Sequence, residues 1–442
     1  MNKQCSFGHV AWLCTPWLAA LSLIGCATTP RPLMPTPTIY EGEDATPLFS
    51  GLPPERRQPA IDLIYVTDRE PNTEPGSPLP YGAERSRELA FGTATVEMGP
   101  SLDWTELENQ SRLGDRTVPV TLTLGEVTEL GRFPPTPYKM RATAEGLVYD
   151  PDVLESRNRA KAEFLTVLEE HLRETTRKDV VVYVHGFNET FETAMFTLAE
   201  LCHFLGREFA CVLFSWPAGS GGNLLTGYGR ERESSEFGMF HLKKMIRVVG
   251  ESPQVEELHL LAHSRGTDVL LTAMRELAIE SHSAGVLASR SKIRNVVLMA
   301  PDVDHDVATQ RIAPIASDPD IATSSGQSTK ILPGDLHVTV YVSPGDRALR
   351  ASAVLFRSKR VGLFSIESMS AELADFWKTV GYLHVVQVPA SRTDLFGHGY
   401  FTTNPTVSSD LISLLRYDRQ PGDPERVLEA VIPPILWRLE TP

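Results

Sequence analysis

Residues 258–271 read LHLLAHSRGTDVLL, an apolar run that ends near one serine and continues into a helix-like segment. This pattern is typical of a strand, nucleophile, helix turn, in which the serine takes a strained backbone position and the residues two before and two after it must be small. Here those residues are Ala262 and Gly266, so Ser264 is the candidate nucleophile. The alternative is a serine that only caps a helix, because serine is a favoured N-cap residue.

A second apolar run, DVVVYVHGFN at residues 179–188, is β-branched and stops abruptly at His-Gly. Such a run predicts a strand buried on both faces. The loop after this strand can supply one backbone N–H to an oxyanion hole, and the residue after the nucleophile can supply the other. By position, these two donors are the backbone N–H groups of Phe187 and Arg265.

A serine nucleophile needs a base, and in the expected chain order the base follows both the serine and the acid. His398 lies in SRTDLFGHGYF, residues 391–401, a polar and glycine-flanked segment after the last strand-like run of the main alternation. A loop there can bring the imidazole over the nucleophile, so His398 is the candidate base. By contrast, His337 and His384 lie in or beside strand-like runs, and we expect their rings to pack in the sheet.

The candidate acid is Asp346, in HVTVYVSPGDRALR, where a strand pattern ends before a Pro-Gly turn. Its role would be to hold the His398 ring in the correct tautomer and to stabilise the imidazolium. The alternative acid is Asp302, in NVVLMAPDVDHDV, which also follows a strand pattern. Asp302 has a second interpretation as a helix N-cap.

These motifs together resemble the DUF900 group of α/β-hydrolases. The resemblance is carried by IYVTDRE from Ile64, LAFGTATVEM, VHGFN, LFSWPAGSG, LAHSRGT, NVVLMAPDVD, VTVYVSPGDRAL and FGHGYF, and it covers most of the chain after the leader. It implies a Ser-Asp-His triad, carried here by Ser264, Asp346 and His398, and a hydrolase or acyl-transfer activity. It does not imply a substrate.

Length and composition agree with one large α/β domain, because the chain has 442 residues of which 42% are hydrophobic and 22% charged. Apolar runs alternate with helix-like stretches, which predicts a mainly parallel sheet with helices on both faces and catalytic groups at the carboxyl ends of the strands. We assign residues 60–442 to this α/β-hydrolase domain, with an elaboration of its first strands at about residues 97–150.

The N-terminal sequence predicts the cellular compartment of the protein. Residues 10–24 are largely apolar but too short and too weakly flanked for a stable membrane span, which indicates a signal peptide over residues 1–25. The sequence LIGC at 23–26 resembles a bacterial lipobox, so Cys26 would carry the acyl chains that anchor the protein. Ala27 after it favours the outer membrane of the cell envelope, facing the periplasm. The alternative is an ordinary secretory signal.

Residues 26–59 are rich in proline and threonine, and this composition predicts an extended tether between the anchor and the domain. Beyond the leader and Cys26, the chain keeps only Cys202 and Cys211. We expect two buried thiols there, with pairing left open because geometry cannot be read from sequence.

The net charge of -14 argues against a nucleic acid partner, because nucleic-acid-binding surfaces are basic. No cysteine or histidine group has zinc-ligand spacing, and the aspartates at 302, 304 and 306 lack the glycine and distal glutamate of a calcium loop. The sequence therefore predicts no metal and no cofactor, and it does not define an oligomeric state.

These observations predict a lipid-anchored serine hydrolase that cleaves carboxylic esters, acyl lipids among them, through an acyl-enzyme intermediate. Acyl transfer to another acceptor, or cleavage of a thioester or amide, uses the same triad and is an alternative. An alternative from a different class is a non-catalytic envelope protein that keeps the scaffold for binding. Three triad candidates in the right chain order favour the enzyme.

Overall fold

The structure is a computed structural model of the chain, and it describes residues 31–42, 45–74, 77, 79–219, 224–283, 292–312, 336–389 and 394–440. The predicted signal peptide, residues 1–25, and the predicted lipid attachment site, Cys26, lie outside these residues. Within the described ranges, no helix is both long enough and apolar enough to span a membrane.

One large mixed sheet forms the centre of the fold. In chain order its strands are β1 (Arg31–Pro32), β2 (Ala60–Pro71), β3 (Tyr81–Met98), β4 (Thr121–Phe133), β7 (Val180–Val184), β8 (Ala210–Ser215), β9 (Leu258–His263), β10 (Ile293–Met299), β11 (His337–Val342), β12 (Leu383–Gln387), β13 (Leu428–Ile432) and β14 (Leu436–Leu439). The spatial order is β1-β4-β3-β2-β8-β7-β9-β10-β11-β12-β14-β13. Pairing is parallel from β2 to β14 and antiparallel at both edges.

Helices cover both faces of this sheet. They are α1 (Trp104–Gln110), α2 (Pro151–Glu174), α3 (Phe191–Phe204), α4 (Leu224–Glu251), α5 (Gly266–Ser283), α6 (His305–Ile312), α7 (Arg347–Phe356), α8 (Ala371–Val380), α9 (Tyr400–Thr403) and α10 (Pro405–Tyr417). The predicted architecture, a mainly parallel sheet with helices on both sides, is confirmed.

The central strand β7 shows why the sheet is covered on both faces. All five of its residues, VVVYV, are buried, and successive side chains point to opposite faces. Val181 and Tyr183 join a core with α3 and α10. Val180 and Val182 join the opposite core with α2, α4 and α5. A continuous apolar run is therefore required here, because neither face meets water.

Residues 31–42 and 45–59 pack against the domain, and this corrects the prediction of an extended tether for them. β1 pairs with β4, and the segment buries six large apolar side chains, namely those of Leu33, Met34, Tyr40, Leu48, Phe49 and Leu52. The Tyr40 hydroxyl donates a 2.7 Å hydrogen bond to the Phe204 carbonyl at the end of α3. The proline content dominated the prediction, whereas the apolar residues between the prolines determine the packing.

The elaboration at residues 97–150 extends the sheet on its N-terminal side. β4 pairs antiparallel with β3, and Leu122 and Phe133 of β4 are buried. A separate hairpin, β5 (Met140–Thr143) with β6 (Gly146–Tyr149), follows β4 and is exposed along its whole length.

Cys202, in α3, and Cys211, in β8, form a disulfide with a Cα–Cα distance of 6.6 Å. The expectation of two free buried thiols was wrong. The helix and the following strand are joined by a short connection, so the two cysteines face each other across the interface between α3 and the sheet, in the same core. The sequence spacing alone did not contain this geometry.

Candidate active site

The carboxyl ends of the parallel strands meet at one edge of the sheet, and the predicted site residues follow these ends. Ser264 follows β9, and Phe187 lies in the loop after β7. Asp346 follows β11, and His398 lies in the segment between β12 and α9. Ligands and catalytic groups in open α/β sheets gather at this edge, so the topology directs the four residues to one region.

Ser264 has a left-handed backbone conformation, with φ of 52°. Its amide N–H donates to the Met299 carbonyl at 2.9 Å, and its carbonyl accepts from the amide N–H groups of Thr267 and Asp302, each at 3.2 Å. The Thr267 hydroxyl donates a further 2.6 Å bond to the same carbonyl. Such a conformation costs about 1–3 kcal/mol in a non-glycine residue, and these four bonds hold it. The strained turn predicted for the candidate nucleophile is present.

The turn needs small residues because backbones approach closely around it. A Cβ at Gly266 would lie 2.3 Å from the His185 carbonyl oxygen and 2.6 Å from that of Val184, both in or just after β7. A Cβ at Gly186 would lie 3.0 Å from Ser264 Cβ. The loop after β7 therefore lies directly against the nucleophile.

Two backbone N–H groups at this contact have no internal acceptor. In the described part of the chain, the amides of Phe187 and Arg265 donate no hydrogen bond, although the amides of Gly186 and Asn188 on either side of Phe187 do. The Gly186 N–H donates to Glu189 Oε1 at 3.0 Å, and the Asn188 N–H donates to Glu231 Oε2 at 2.8 Å. The amides of 187 and 265 therefore stay the candidate donors of an oxyanion hole.

Asp346 and His398 are in direct contact. His398 Nδ1 lies 2.6 Å from Asp346 Oδ2, and the Asp346 side chain is fully buried. The second oxygen, Oδ1, accepts a 2.9 Å bond from the Leu349 N–H and so caps α7. The cap fixes the carboxylate, and the carboxylate in turn fixes the tautomer of the ring, because Nδ1 must carry the proton that Oδ2 accepts.

The loop that carries His398 is organised by a second aspartate that the sequence interpretation did not single out. Asp394 Oδ1 accepts from the amides of Phe396, Gly397 and His398, and Oδ2 accepts from that of Gly399. Burial would raise the pKa of Asp394, but these backbone N–H groups outweigh it and hold the pKa below its usual value. The ionised carboxylate therefore determines where His398 sits.

His398 packs against His263, the residue that precedes the candidate nucleophile. Its ring packs on the ring of His263, with centroids 4.7 Å apart, and the carbonyl of His398 lies 3.2 Å from His263 Nε2. Among the described residues, neither the Ser264 hydroxyl nor His398 Nε2 forms a hydrogen bond. The structure thus joins His398 to Asp346 and places it against His263, the residue before Ser264. Hydrogen bonds between a base and a nucleophile are often long or absent without substrate.

The carboxylate of Asp302, the alternative acid, binds side chains of α4 and α7. Its carboxylate accepts from the hydroxyls of Tyr228 and Ser352, the second at 2.7 Å, and Arg360 Nε lies 3.3 Å from Oδ1. Within the described ranges it makes no contact with His398. Asp302 therefore anchors α4 and α7 to the end of β10 rather than orienting the base.

Three polar residues around the loop after β7, of which Arg69 and His263 are buried and Glu189 is partly buried, were missed by the sequence interpretation or assigned only a general role. Burial lowers the pKa of His263, so its ring is neutral at neutral pH. Glu189 approaches His263 Nδ1 to 3.7 Å and accepts the Gly186 N–H. Arg69, from β2, donates to the Glu189 carbonyl at 2.8 Å. The sequence signal for Arg69 and Glu189 was proximity to the IYVTDRE and VHGFN motifs.

Among the described residues, one group of side chains has possible metal ligands close together, at the opposite edge of the sheet. Ligand atoms of Asp179, Glu257 and His259 lie within 4.8 Å of one another. Arg177 lies 3.6 Å from the carboxylate of Asp179, and Arg294 lies 3.9 Å from that of Glu257. The two guanidinium groups already compensate both carboxylates, so an ion-pair cluster accounts for this arrangement without a metal.

Comparison with known proteins gives one family. The model of the family described as alpha/beta hydrolase of unknown function (DUF900) matches residues 160–416, more than half of the chain. No curated protein matches the chain.

Solved structures with low similarity include an esterase from Pyrobaculum calidifontis, at 11% identity and a TM-score of 0.29, covering 60% of this chain and 93% of that one. A lipase-esterase related protein from Clostridium acetobutylicum matches at 13% identity and a TM-score of 0.28, covering 54% and 94%. The carboxylesterase CesB from Bacillus subtilis matches at 10% identity and a TM-score of 0.25, covering 57% and 97%.

Proposed function

The chain belongs to the DUF900 family of alpha/beta hydrolases, and we propose that it is a serine hydrolase that cleaves carboxylic esters with Ser264, His398 and Asp346. The observation that carries the proposal is the 2.6 Å contact between His398 and the buried Asp346, at the sheet edge where Ser264 occupies a strained strand-to-helix turn. A base, an orienting acid and an activated hydroxyl are the three groups that acyl transfer needs.

The proposed reaction has two halves. His398 Nε2 takes the proton of the Ser264 hydroxyl as Oγ attacks the ester carbonyl, and the backbone N–H groups of Phe187 and Arg265 stabilise the oxyanion. The intermediate collapses, the C–O bond to the alcohol breaks, and His398 returns the proton to the departing alkoxide. Water, deprotonated by His398, then attacks the acyl-enzyme, and the carboxylic acid leaves as Ser264 regains its proton.

Apolar side chains near the site support an ester with an apolar part, acyl lipids among them. The ring of Phe187 packs on Tyr228 at 4.9 Å, and Tyr228 packs on Phe356 at 5.0 Å. In the His398 loop, Leu395 and Phe396 are 78% and 55% exposed. Large apolar side chains exposed this close to a reactive centre favour an apolar ligand over a strongly polar one.

We further propose that the enzyme is anchored in the cell envelope through a lipid on Cys26. The lipobox-like LIGC sequence at 23–26 suggests it, and the disulfide between Cys202 and Cys211 agrees with an oxidising compartment such as the periplasm. The test is expression of wild-type protein and Cys26→Ser in a bacterial host with radiolabelled palmitate. Label and membrane association in both proteins, or in neither, would contradict the proposal.

The test of the activity uses a fluorophosphonate probe, which labels activated serines, and a series of p-nitrophenyl esters of increasing chain length. We expect wild-type protein to be labelled and to release nitrophenol, and Ser264→Ala to do neither while keeping its unfolding midpoint. The matched control is Ser343→Ala, which removes another buried hydroxyl at the same sheet edge, after β11. Wild-type protein that remains unlabelled while a control hydrolase reacts would refute the proposal.

A further inference from the structure

Arg69 is a fully buried cation that the proposed mechanism does not use. It lies near the end of β2, outside residues 160–416 that match the family model, and is 1% exposed. Burial lowers the pKa of this guanidinium to about 10, against the raising effect of nearby carboxylates, so it is charged at neutral pH. A buried charge requires compensation by hydrogen bonds or partners, which makes its contacts informative.

The contacts of Arg69 converge on the two loops that border the candidate oxyanion hole. Nε donates to the Ser215 hydroxyl at 2.7 Å, and Nη1 donates to the carbonyls of Gly82 at 3.0 Å and Ala218 at 2.6 Å. Nη2 donates to the Glu189 carbonyl at 2.8 Å and lies 3.2 Å from His185 Nε2. The guanidinium fork thereby ties the loop after β8 to the loop after β7.

Arg69 holds both ends of the short span that contains the Phe187 amide. At one end, Arg69 Nη2 lies 3.2 Å from His185 Nε2, and the His185 ring also contacts the Gly186 carbonyl through Nδ1 at 2.9 Å and the Trp216 carbonyl through Nε2 at 3.1 Å. Burial, with the charge of Arg69, lowers the pKa of His185 to about 4, which keeps this ring neutral. At the other end, Arg69 Nη2 binds the Glu189 carbonyl.

Two carboxylates fix the amides on either side of Phe187. Glu189 accepts the Gly186 N–H, and Glu231 accepts the N–H groups of Asn188 and Gly219 at 2.8 and 2.9 Å. The positive charge of Arg69 balances these anions, because Asp68, Glu231 and Glu189 all favour its charged form. Charged side chains therefore hold the Gly186 and Asn188 amides, and among the described residues the Phe187 amide between them has no acceptor.

We propose that Arg69 is a positioning residue for the oxyanion hole: by binding His185, Glu189 and Ala218 at once, it holds the Phe187 N–H in the orientation that the reaction requires. The inference rests on the proposed function, since it assigns Arg69 a part in the same site. It also gives the N-terminal strands, which precede the family match, a role in positioning the site.

Arg207 is the matched control, because it is also a buried arginine that binds backbone carbonyls. If the role of Arg69 were only structural, replacing either arginine should have the same effect on kcat. Arg207 is 3% exposed, and its guanidinium donates to the carbonyls of Gln58 and Ala60 at 2.7 and 2.8 Å and to His203 Nδ1 at 3.2 Å. These partners lie away from the candidate site. Replacement of either arginine by lysine loses the planar fork and several hydrogen bonds, so both variants should lose stability.

The test compares Arg69→Lys with Arg207→Lys in the full chain. If Arg69 positions the oxyanion hole, kcat of Arg69→Lys should fall by about two to three orders of magnitude, the loss typical of one misplaced oxyanion donor, while KM changes little. Arg207→Lys should keep wild-type kcat at a temperature where both variants are folded. Equal kcat in the two variants, or a loss confined to KM, would overturn the proposal.

Hydrogen exchange of the peptide containing residues 185–189 separates this inference from the proposed function. Faster exchange in Arg69→Lys than in both wild type and Arg207→Lys supports the positioning role even in a protein that no fluorophosphonate labels, and exchange equal to that of Arg207→Lys refutes it. Chemical rescue adds a second test: guanidinium ions at low concentration should restore activity to Arg69→Ala, whereas urea, which has a similar shape but no charge, should not.

Discussion

Asp346→Asn tests the candidate triad most sharply, because the two carboxylate oxygens of Asp346 accept hydrogen bonds from different groups. Oδ2 accepts the proton of His398 Nδ1 at 2.6 Å, and Oδ1 accepts the Leu349 N–H at 2.9 Å and caps α7. An asparagine has the same shape and keeps one oxygen. If that oxygen stays on the cap, the amide NH₂ faces His398 Nδ1, and the ring must place its proton on Nε2. It then cannot accept the proton of Ser264.

The expected loss follows from this change of tautomer. A similar exchange in serine hydrolases lowers kcat by about 10,000-fold, which corresponds to about 5.5 kcal/mol in the activation barrier. Stability should change far less, because the helix cap survives and one hydrogen bond to a charged group is worth about 1.5–3 kcal/mol. Asp346→Ala also loses the cap and should be about 1 kcal/mol less stable than Asp346→Asn.

The assay is ester hydrolysis under saturating substrate, with urea denaturation of each variant at the same pH. Asp302→Asn is the control, because Asp302 also follows a buried strand at this edge but contacts Tyr228, Ser352 and Arg360 instead of the base. We expect Asp302→Asn to lose stability and to keep kcat within about tenfold of wild type, well above a triad loss. An Asp346→Asn variant with a tenth of wild-type kcat or more, or an inactive but folded Asp302→Asn, would refute the assignment.

Three further outcomes are expected. Gly266→Ala should lower the free energy of unfolding by about 2 kcal/mol or more and abolish activity, because the new Cβ would lie 2.3 Å from a backbone carbonyl of the neighbouring loop. The control Gly229→Ala has nothing within 4 Å of its Cβ and should raise the free energy of unfolding by up to about 1 kcal/mol. Equal urea midpoints for the two variants would contradict this. Replacing Cys202 and Cys211 by alanine should lower the free energy of unfolding by about 2.5 kcal/mol, because the disulfide closes a short loop in the unfolded chain, and only the wild type should respond to reductant. Burial lowers the pKa of His384 to about 4, so the unfolded chain binds a proton between about pH 6.5 and 4 that the fold does not, and stability falls as the pH falls through this window. His384→Gln should reduce that slope by up to about 1.4 kcal/mol per pH unit, measured by urea denaturation, and an unchanged slope would show that another group titrates.

The central fold was predictable because buried parallel strands carry a strong local signal. The runs VVVYV, LHLLA and HVTVYV correspond to β7, β9 and β11, and each is apolar without interruption because helices cover both faces of the sheet. The same signal places the candidate nucleophile and acid, since each follows the end of such a run. The strained conformation of Ser264 could be expected from its neighbours Ala262 and Gly266, which leave room for the turn.

The N-terminal packing and the buried charges around the candidate oxyanion hole were not predictable in this way. Composition gave residues 31–59 an extended structure, although their apolar side chains fill a groove that includes α3 and α10. The burial of Arg69 and Glu231 could not be expected from the sequence, because charged side chains are rarely fully buried. Arg69 contacts His185, more than a hundred residues away in the sequence, and Glu231 accepts from the Asn188 N–H, about forty residues away. No periodicity or spacing in the sequence encodes such pairs.

Asp302 and Asp346 show where local information ends and tertiary information begins. Each follows a buried strand of the same sheet, each is nearly inaccessible to solvent, and each accepts two side-chain or backbone hydrogen bonds. What distinguishes them is the partner that arrives from another part of the chain. The loop organised by Asp394 brings His398 to Asp346, whereas Arg360 occupies the equivalent approach to Asp302. The identity of the orienting acid is therefore a property of the loop after β12, and a change in that loop that moved His398 would remove the role of Asp346 without altering Asp346 itself.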